Sequence, residues 1–177
     1  MKNLIFVNGT MGAGKTTVCR ELKAMLPPSV CLDGDACWDA CPFTVTEETR
    51  RMVMDNICFL LSGFIRCTAY ENVIFGWVMH EQAIIDDILR RLPMEGVSFS
   101  LFTLMPDEHA LRDRLGADVR AGLRQPDVIE HSVARLPLYR GMDSVKIDVS
   151  HISAREAAEK IAGLVRAKKH TQGGYHV

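Results

Sequence analysis

The chain has 177 residues, of which 47% are hydrophobic and 24% are charged, and its formal net charge is −1 at pH 7. This composition is typical of a globular protein with one buried core, and the near-neutral charge gives no overall field for holding nucleic acid or an anionic membrane. We therefore predict a single domain over residues 1–177, with no nucleic-acid or membrane partner. Six irregularly spaced cysteines and the absence of a signal-peptide pattern favour reduced thiols and a cytoplasmic location.

The first predicted element is a strand that leads directly into a glycine-rich loop. Apolar residues 4–7 precede the sequence Gly9-x-x-x-x-Gly14-Lys15-Thr16, and a helical pattern follows it. Strand, loop and helix in this order are typical of a phosphate-binding loop, and an ordinary glycine-rich turn is the alternative. Glycines allow successive backbone N–H groups to curl around phosphate oxygens, and the next helix directs its positive end at the same anion.

The side chains that follow this loop suit a nucleoside triphosphate with its metal. Lys15 supplies a charge for the outer phosphates, and the Thr16 hydroxyl is a natural Mg²⁺ ligand. The residues predicted to hold the nucleotide are Gly9, Met11, Gly12, Ala13, Gly14, Lys15, Thr16 and Thr17.

The rest of the chain alternates between helical and strand patterns. Helices are predicted over residues 17–26, 46–69, 80–92, 106–115, 128–139 and 154–168, and strands over residues 29–32, 72–78, 97–105 and 144–149. Strands and helices alternate five times, which indicates an α/β fold with a parallel sheet and helices on both of its faces.

Two carboxylates follow the second predicted strand, in the sequence Asp33-Gly34-Asp35. Ligands of open α/β sheets bind beyond the carboxyl ends of the strands, and we expect this strand to lie next to the one that carries the phosphate loop. Asp35 would then act as a base or orient the acceptor hydroxyl, and Asp33 would hold Mg²⁺ through water. The alternative is an Asp-Gly turn with a helix N-cap.

An arginine-rich segment lies between the fourth and fifth predicted strands. Arg120 and Arg124 are four residues apart, one helical turn, within the glycine-punctuated residues 116–127. A mobile lid with two arginines can neutralise the charge that phosphoryl transfer leaves on equatorial oxygens. Arg114 could reach the phosphates from the base of the lid; a solvated helix face is the alternative reading of all these charges. The predicted catalytic residues are Lys15, Asp35, Arg120 and Arg124.

Together, four features resemble the small P-loop kinases, the nucleoside-monophosphate-kinase-like group that includes shikimate, gluconate and adenylylsulfate kinases. They are the phosphate loop, the turn at residues 32–35, the arginine-rich segment and the closing strand and helix of residues 147–164. Residues 102–115 are especially similar to the tunicamycin-resistance ATP-binding proteins. The resemblance covers nearly the whole chain.

This resemblance implies a three-layer α/β/α P-loop NTPase fold, with a five-stranded parallel sheet and a small arginine-rich lid at about residues 116–127. It also implies ATP and Mg²⁺ as cofactors, with transfer of the γ-phosphoryl group to a small-molecule acceptor. By resemblance, residues 9–16 bind ATP, Arg120 and Arg124 are lid arginines, and adenine is held near Arg114 and the loop after Val149.

Departures from related families leave the acceptor open. The third predicted strand lacks the terminal acidic residue of Walker-B ATPases and GTPases, and no Asn-Lys-x-Asp motif for guanine is present, which argues against a motor or switch protein. Arg50 or Arg51 would have to serve as the arginine of nucleoside-monophosphate binders. The acceptor pocket is expected to be bounded by Asp35, Trp38, Phe43, Arg50, Trp77, Met79 and His80, whose tryptophans could equally belong to the core.

Two smaller sites and three functions remain as hypotheses. Cys37 and Cys41 could bind a metal, and His80 could act as an acid or base, although a structural or substrate-binding histidine is the simpler interpretation. The favoured function is an ATP-dependent phosphotransferase that acts on a small molecule, with nucleosides or nucleotides among the candidates. The alternative is an ATP-binding resistance or regulatory protein without efficient turnover. The neutral charge counts against a nucleic-acid end kinase, and a monomer or homodimer is expected.

Overall fold

The computed structural model describes the backbone of residues 2–172 and the side chains of residues 2–168. Six α-helices and five strands follow one another along this part of the chain, and they alternate except where α5 directly follows α4. In order they are β1 (Lys2–Asn8), α1 (Lys15–Met25), β2 (Ser29–Asp33), α2 (Glu47–Arg66), β3 (Asn72–Gly76), α3 (Gln82–Arg91), β4 (Val97–Met105), α4 (Glu108–Arg120), α5 (Val128–Arg140), β5 (Val145–Asp148) and α6 (Ala154–Gln172). A short 3₁₀ helix, Gly34–Trp38, directly follows β2.

The five strands form one parallel sheet in the order β2-β3-β1-β4-β5. At its centre, Ile5 of β1 pairs with Ile74 of β3 on one side and with Ser100 of β4 on the other. The predicted five-stranded parallel sheet is thus confirmed. The prediction that β1 and β2 are neighbours is wrong, because β3 lies between them and pairs with both.

Alternating side chains of β1 point into two separate cores, as the pleat of a strand requires. Leu4 and Phe6 pack with α2 and α3 on one face of the sheet. Ile5 and Val7 pack with α1 and α6 on the other face. All four side chains are fully buried. Because both faces of β1 are buried, its sequence is a continuous apolar run. The predicted layers of helices on both faces of the sheet are confirmed.

Helix boundaries differ from the predictions where capping decides them. Helix α2 begins after Thr46 because the Thr46 hydroxyl accepts from the N–H of Thr49 at 3.1 Å, while the Thr49 hydroxyl accepts from the N–H of Thr46 at 2.8 Å. Helix α4 was predicted to end at Leu115 but continues to Arg120. It ends in a Schellman motif, in which Gly122 has a φ of 72° and its N–H donates to the carbonyl of Val119 at 3.0 Å.

The remaining features concern the membrane and the thiols. Within residues 2–172, none of the helices has both the length and the apolar character needed to cross a bilayer. All six cysteines are free thiols, three of them buried.

Candidate active site

The phosphate loop lies at the carboxyl end of β1, at the centre of the sheet. Gly12 and Gly14 have φ values of 79° and 94°, the left-handed region that side chains disfavour. Gly14 is the N-cap residue of α1, and no side chain caps the first amides of that helix. The N–H groups at the start of α1 are therefore free to bind an anion, as the sequence predicts.

Lys15 folds back over the loop. Its Nζ donates to the carbonyl oxygen of Thr10 at 2.9 Å. Burial lowers the pKa of Lys15 from 10.5 to about 8, although the nearby carboxylates of Asp35 and Asp33 act in the opposite direction. The ammonium group therefore has two acidic neighbours and too little solvent, so that a polyphosphate would satisfy its charge.

Asp33 connects the phosphate loop to the end of β2. The Thr16 hydroxyl donates to Oδ2 of Asp33 at 2.9 Å, and Oδ1 of Asp33 accepts from the N–H of Asp35 at 3.2 Å. This second bond caps the 3₁₀ helix, so the Asp-Gly turn with an N-cap, the alternative interpretation of these residues, is formed. The role of the two carboxylates in a site stays a prediction. Thr16 and Asp33 bring two hard oxygen donors together, which suits Mg²⁺ because this ion takes one or two protein ligands and completes its shell with phosphates and water.

The bond between Thr16 and Asp33 crosses the end of β3. Gly76, the last residue of β3, lies beneath Cys19 of α1, and a Cβ at position 76 would be 2.8 Å from the Cys19 sulfur. The missing side chain lets α1 lie close over β3. The start of α1 can therefore reach the end of β2, although β2 and β1, the strand that leads into α1, are not neighbours in the sheet.

Asn8 is a site residue that sequence reasoning missed. Its side chain is fully buried; Oδ1 accepts from the N–H of Gly9 at 2.8 Å and from that of Met79 at 2.9 Å, and Nδ2 donates to the carbonyl of Met79 at 2.8 Å. These bonds fix the start of the phosphate loop relative to the segment after β3. The sequence feature that could have indicated this role is a polar residue at the end of an otherwise apolar strand, because a buried polar side chain needs hydrogen-bond partners.

Only some of the residues expected to bound the acceptor pocket contact one another or the turn that carries Asp35. Trp77 packs closely against Gly34, where a Cβ would be 2.4 Å from the indole Cγ. This contact places Trp77 beside the turn that carries Asp35. Trp38 contacts Phe43 with ring centroids 4.9 Å apart. Both tryptophans also pack against the core of α2 and α3, so the core interpretation applies to part of each ring.

Three other pocket residues differ in their placement. Met79 is fully buried within the core, so its predicted role as a pocket wall is wrong. His80 is partly exposed; its Nε2 lies 3.5 Å from Oε1 of Glu81, and its buried Nδ1 has no partner among the described residues. Arg50 is exposed in the first turn of α2, and its guanidinium forms no hydrogen bond or ion pair within the described part of the chain.

The arginine-rich segment is less irregular than predicted. Residues 116–120 belong to α4, but the helix ends at Arg120 and Gly122 has a left-handed backbone, so Arg120 and Arg124 are not one helical turn apart. The Nε of Arg124 donates to Oδ2 of Asp118 at 3.0 Å, and the Arg124 charge contributes to the low pKa of Lys15. Arg120 extends back along its own helix, where its Nη1 lies 3.3 Å from the position of a Cβ at Gly116. Arg112 is a surface residue that bonds Glu108 and Glu130.

A cleft of about 270 Å³ lies beside the phosphate loop. Its lining includes Ala13, Gly14, Thr17, Arg114, Val149 and Ile152. Arg114 donates to the carbonyl of Val149, which holds α4 against the loop after β5. The position that the resemblance gives to adenine is therefore an open cleft. A larger groove of about 740 Å³ on α2 and α3 contains none of the predicted site residues.

Helix α5 adds a polar face that the sequence did not reveal. The Thr10 hydroxyl donates to the carbonyl of Ser132 at 3.1 Å. The hydroxyls of Ser132 and Tyr139 are buried without a partner among the described residues, and burial raises the pKa of the Tyr139 phenol. The charge of half-buried Arg135 lowers the pKa of the same phenol.

The metal site suggested for Cys37 and Cys41 lacks further ligands in the part of the chain that the structure describes. These residues offer no group of three metal-binding side chains that would complete a site.

The sequence matches one family model, described as an AAA domain, over residues 5–121, which is more than half of the chain. No sequence among the curated proteins matches this chain significantly.

Several solved structures share the fold. The tunicamycin resistance protein of Deinococcus radiodurans has a TM-score of 0.73 and 24% identity, over 93% of this chain and 96% of that one. A gluconokinase of Sinorhizobium meliloti 1021 has a TM-score of 0.67 and 21% identity, over 98% of each chain. The APS kinase CysC of Mycobacterium tuberculosis, in complex with AMPPNP and APS, has a TM-score of 0.65 and 14% identity, over 93% of this chain and 98% of that one. At these identities the likeness shows the fold, and it confirms the resemblance to small P-loop kinases.

Proposed function

This chain belongs to the AAA domain family, and from that premise we propose that it is an ATP-dependent phosphotransferase that moves the γ-phosphoryl group of Mg-ATP to a small-molecule acceptor. The observation that carries the proposal is the convergence of Lys15, Thr16, Asp33 and Asp35 on one edge of the sheet. A phosphate cradle alone fits any nucleotide-binding protein. A carboxylate turn beside that cradle is what an acceptor hydroxyl needs for transfer.

Each residue has a specific role in this proposal. The loop residues Gly9, Met11, Gly12, Ala13, Gly14 and Thr17 surround the phosphates, and Arg114 borders the adenine cleft. Thr16 directly and Asp33 through water would hold Mg²⁺, which would supply charge neutralisation on the phosphates. Lys15, Arg120 and Arg124 offset the charge that develops on the transferred group. Asp35 accepts the proton of the acceptor hydroxyl and orients its oxygen for attack.

The acceptor side favours a compound with a flat ring. Trp77 and Trp38 border the turn that carries Asp35, and Phe43 is exposed beyond them. Aromatic side chains in this arrangement bind ring faces by stacking. Nucleosides and nucleotides are therefore the first acceptors to examine, with exposed Arg50 and partly exposed His80 as candidate polar contacts. We further propose a cytoplasmic monomer or homodimer that does not act on nucleic acid.

A second function is favoured by one comparison. A protein with the same fold and 24% identity is a tunicamycin resistance protein. This chain could accordingly be an ATP-binding resistance or regulatory protein, in which ligand binding changes the lid without efficient phosphoryl transfer. The two functions differ in whether an acceptor stimulates ADP formation.

The experiment is a screen of acceptors with Mg-ATP that measures ADP formation for the unchanged protein, Asp35→Asn and Asp39→Asn. We expect an acceptor that stimulates ADP formation in the unchanged protein and in Asp39→Asn, whose carboxyl lies just beyond the 3₁₀ helix. In Asp35→Asn we expect turnover to fall at least about 100-fold while ATP still binds, because general-base catalysis contributes on that scale. ATP binding without stimulation by any acceptor would favour the second function. Undiminished turnover in Asp35→Asn would refute its role.

A further inference from the structure

Helices α4 and α5 share a small hydrophobic cluster that is separate from the two cores of the sheet. Its buried residues are Leu111 and Leu115 from α4 and Val128 and Leu136 from α5. Half-buried Met11, from the phosphate loop, packs against the same cluster. The segment between the two helices carries Arg124, and α4 itself ends at Arg120. The base of the proposed lid therefore has a core of its own, and the phosphate loop is part of its lining.

Three consecutive residues of the phosphate loop contact these helices. Thr10 bonds the carbonyl of Ser132 in α5 at 3.1 Å, and Met11 contacts the cluster. At Gly12, a Cβ would lie 2.7 Å from both Cγ and Cδ2 of Leu115 and 3.1 Å from Cδ1 of Leu111. Leu115 thus rests directly on the backbone of the loop, with no side chain between. A change in the path of the loop at Gly12 has to displace Leu115, because packed interiors leave no space to absorb it.

Helices α4 and α5 are also joined on their outer side. The guanidinium of Arg112 in α4 donates to Glu108 at 2.8 Å and to both carboxylate oxygens of Glu130 in α5, at 2.6 and 3.1 Å. A bidentate pair of this kind fixes orientation as well as distance. Together with the cluster, it ties the beginning and the end of the proposed lid to each other, so that a displacement at Leu115 is shared by both helices.

We propose that Leu115 is a positioning residue that couples occupancy of the phosphate loop to the placement of the lid arginine Arg124. The inference rests on the proposed function only in requiring that residues 9–16 bind ATP. Nucleotide bound to the loop fixes the backbone at Gly12, the contact with Leu115 then fixes α4, and α4 sets where the chain after Gly122 carries Arg124. The coupling is reciprocal, so a lid arginine correctly placed through Leu115 strengthens ATP binding.

A double-mutant cycle on ATP affinity tests this coupling without any acceptor. The dissociation constant of Mg-ATP is measured by calorimetry with and without Arg124→Ala, in the unchanged protein, in Leu115→Ala and in Leu61→Ala. Leu61 is the matched control because it is an equally buried leucine of α2 in a different core. We expect Arg124→Ala to weaken ATP binding about fivefold in the unchanged protein and in Leu61→Ala, but less than about twofold in Leu115→Ala.

The outcomes separate this inference from the proposed function. Equal effects of Arg124→Ala in all three backgrounds, whether large or absent, overturn the coupling while leaving the phosphotransferase proposal intact. Failure of the unchanged protein to bind ATP overturns both. A general loss of packing in Leu115→Ala would lower ATP affinity but leave the Arg124 effect unchanged, as in the control. If Leu115→Ala does not fold, Leu115→Val and Leu61→Val provide the same comparison with a smaller cavity.

Discussion

The hydroxyl of Thr16 donates a hydrogen bond to Oδ2 of Asp33 across 2.9 Å. The bond joins the start of α1, the helix that follows β1, to the end of β2, although β1 and β2 are not neighbours in the sheet. The bond turns two separate sequence signals, the phosphate loop and the Asp-Gly turn, into one site. It also holds the Asp33 carboxylate in a single orientation, because the other oxygen accepts from the N–H of Asp35.

Replacing Asp33 by asparagine should weaken the affinity for the Mg²⁺ that accompanies the nucleotide. The variant Asp33→Asn keeps the size of the side chain but removes the charge opposite Thr16. Because partners of this kind typically change metal affinity 10–100-fold, we expect the Mg²⁺ concentration for half-maximal ATP binding to rise about tenfold or more. A titration of Mg²⁺ at fixed ATP measures this. The same titration on Asp39→Asn should give the value of the unchanged protein, and equal curves for both variants would remove Asp33 from the metal site.

The contact between Gly34 and Trp77 gives a prediction for stability. Because a Cβ at position 34 would be 2.4 Å from the indole ring, Gly34→Ala should lower the free energy of unfolding by about 1–3 kcal/mol, the usual cost of overpacking. The comparison is Gly63→Ala, since Gly63 is an exposed residue inside α2 and a Cβ there meets nothing within 4 Å. That variant should be more stable by about 0.5–1 kcal/mol. Urea denaturation measures both, and a stabilised Gly34→Ala would contradict the packing of Trp77.

The fold was predictable from the sequence because its signals are local. A four-residue apolar run and a Gly-x-x-x-x-Gly-Lys-Thr loop specify the strand, loop and helix at the start of the chain, and alternating patterns specify the parallel sheet. The strand order was not predictable, because the position of β3 between β1 and β2 depends on pairing between distant residues. The same is true of Asn8, whose partner Met79 is 71 residues away.

At the proposed lid, residues 116–127, the local sequence pattern gave a wrong prediction for the end of α4. Gly116 weakened the helical pattern, so α4 was predicted to end early, although a single glycine inside a helix costs only about 1 kcal/mol. The true end is set by Gly122 and its left-handed backbone. Because the helix ends between Arg120 and Arg124, their four-residue spacing in the sequence did not predict where the two side chains lie relative to each other. The roles assigned to these arginines stay predictions.

The ion pair between Arg124 and Asp118 should compete with nucleotide for the same guanidinium. Both groups are partly exposed, with an Nε–Oδ2 distance of 3.0 Å, and pairs of this kind contribute at most about 1 kcal/mol. We therefore expect Asp118→Asn to tighten ATP binding by up to about fivefold, and the gain to shrink in 0.5 M salt. The control is Asp113→Asn, which removes a carboxylate of the same helix that pairs with His109 instead. Weaker ATP binding in Asp118→Asn would show that the pair supports the lid rather than restraining it.

The low pKa of Lys15 predicts an unusual dependence of stability on pH. Burial lowers it from 10.5 to about 8 in the folded protein. Between these two values the unfolded chain binds the proton that the folded chain has lost, so stability without nucleotide rises with pH across this window. The cost of the buried charge is fully present below pH 8, and its relief adds up to about 3 kcal/mol by pH 10.5. Thiols and other groups titrate there too, so the quantity to measure is the difference between the unchanged protein and Lys15→Met, which lacks this rise.

Nucleotide binding should show the opposite trend through the same group. A protonated Lys15 attracts the phosphates and a neutral one does not, so ATP affinity should fall as the pH rises through about 8. Calorimetry at pH 7 and pH 9 measures the fall, and Lys15→Arg is the comparison, because a guanidinium keeps its charge throughout this range. We expect the affinity of the unchanged protein to drop several-fold more than that of the arginine variant. Parallel curves for the two proteins would show that Lys15 stays charged to pH 9 and that its burial costs less than the structure indicates.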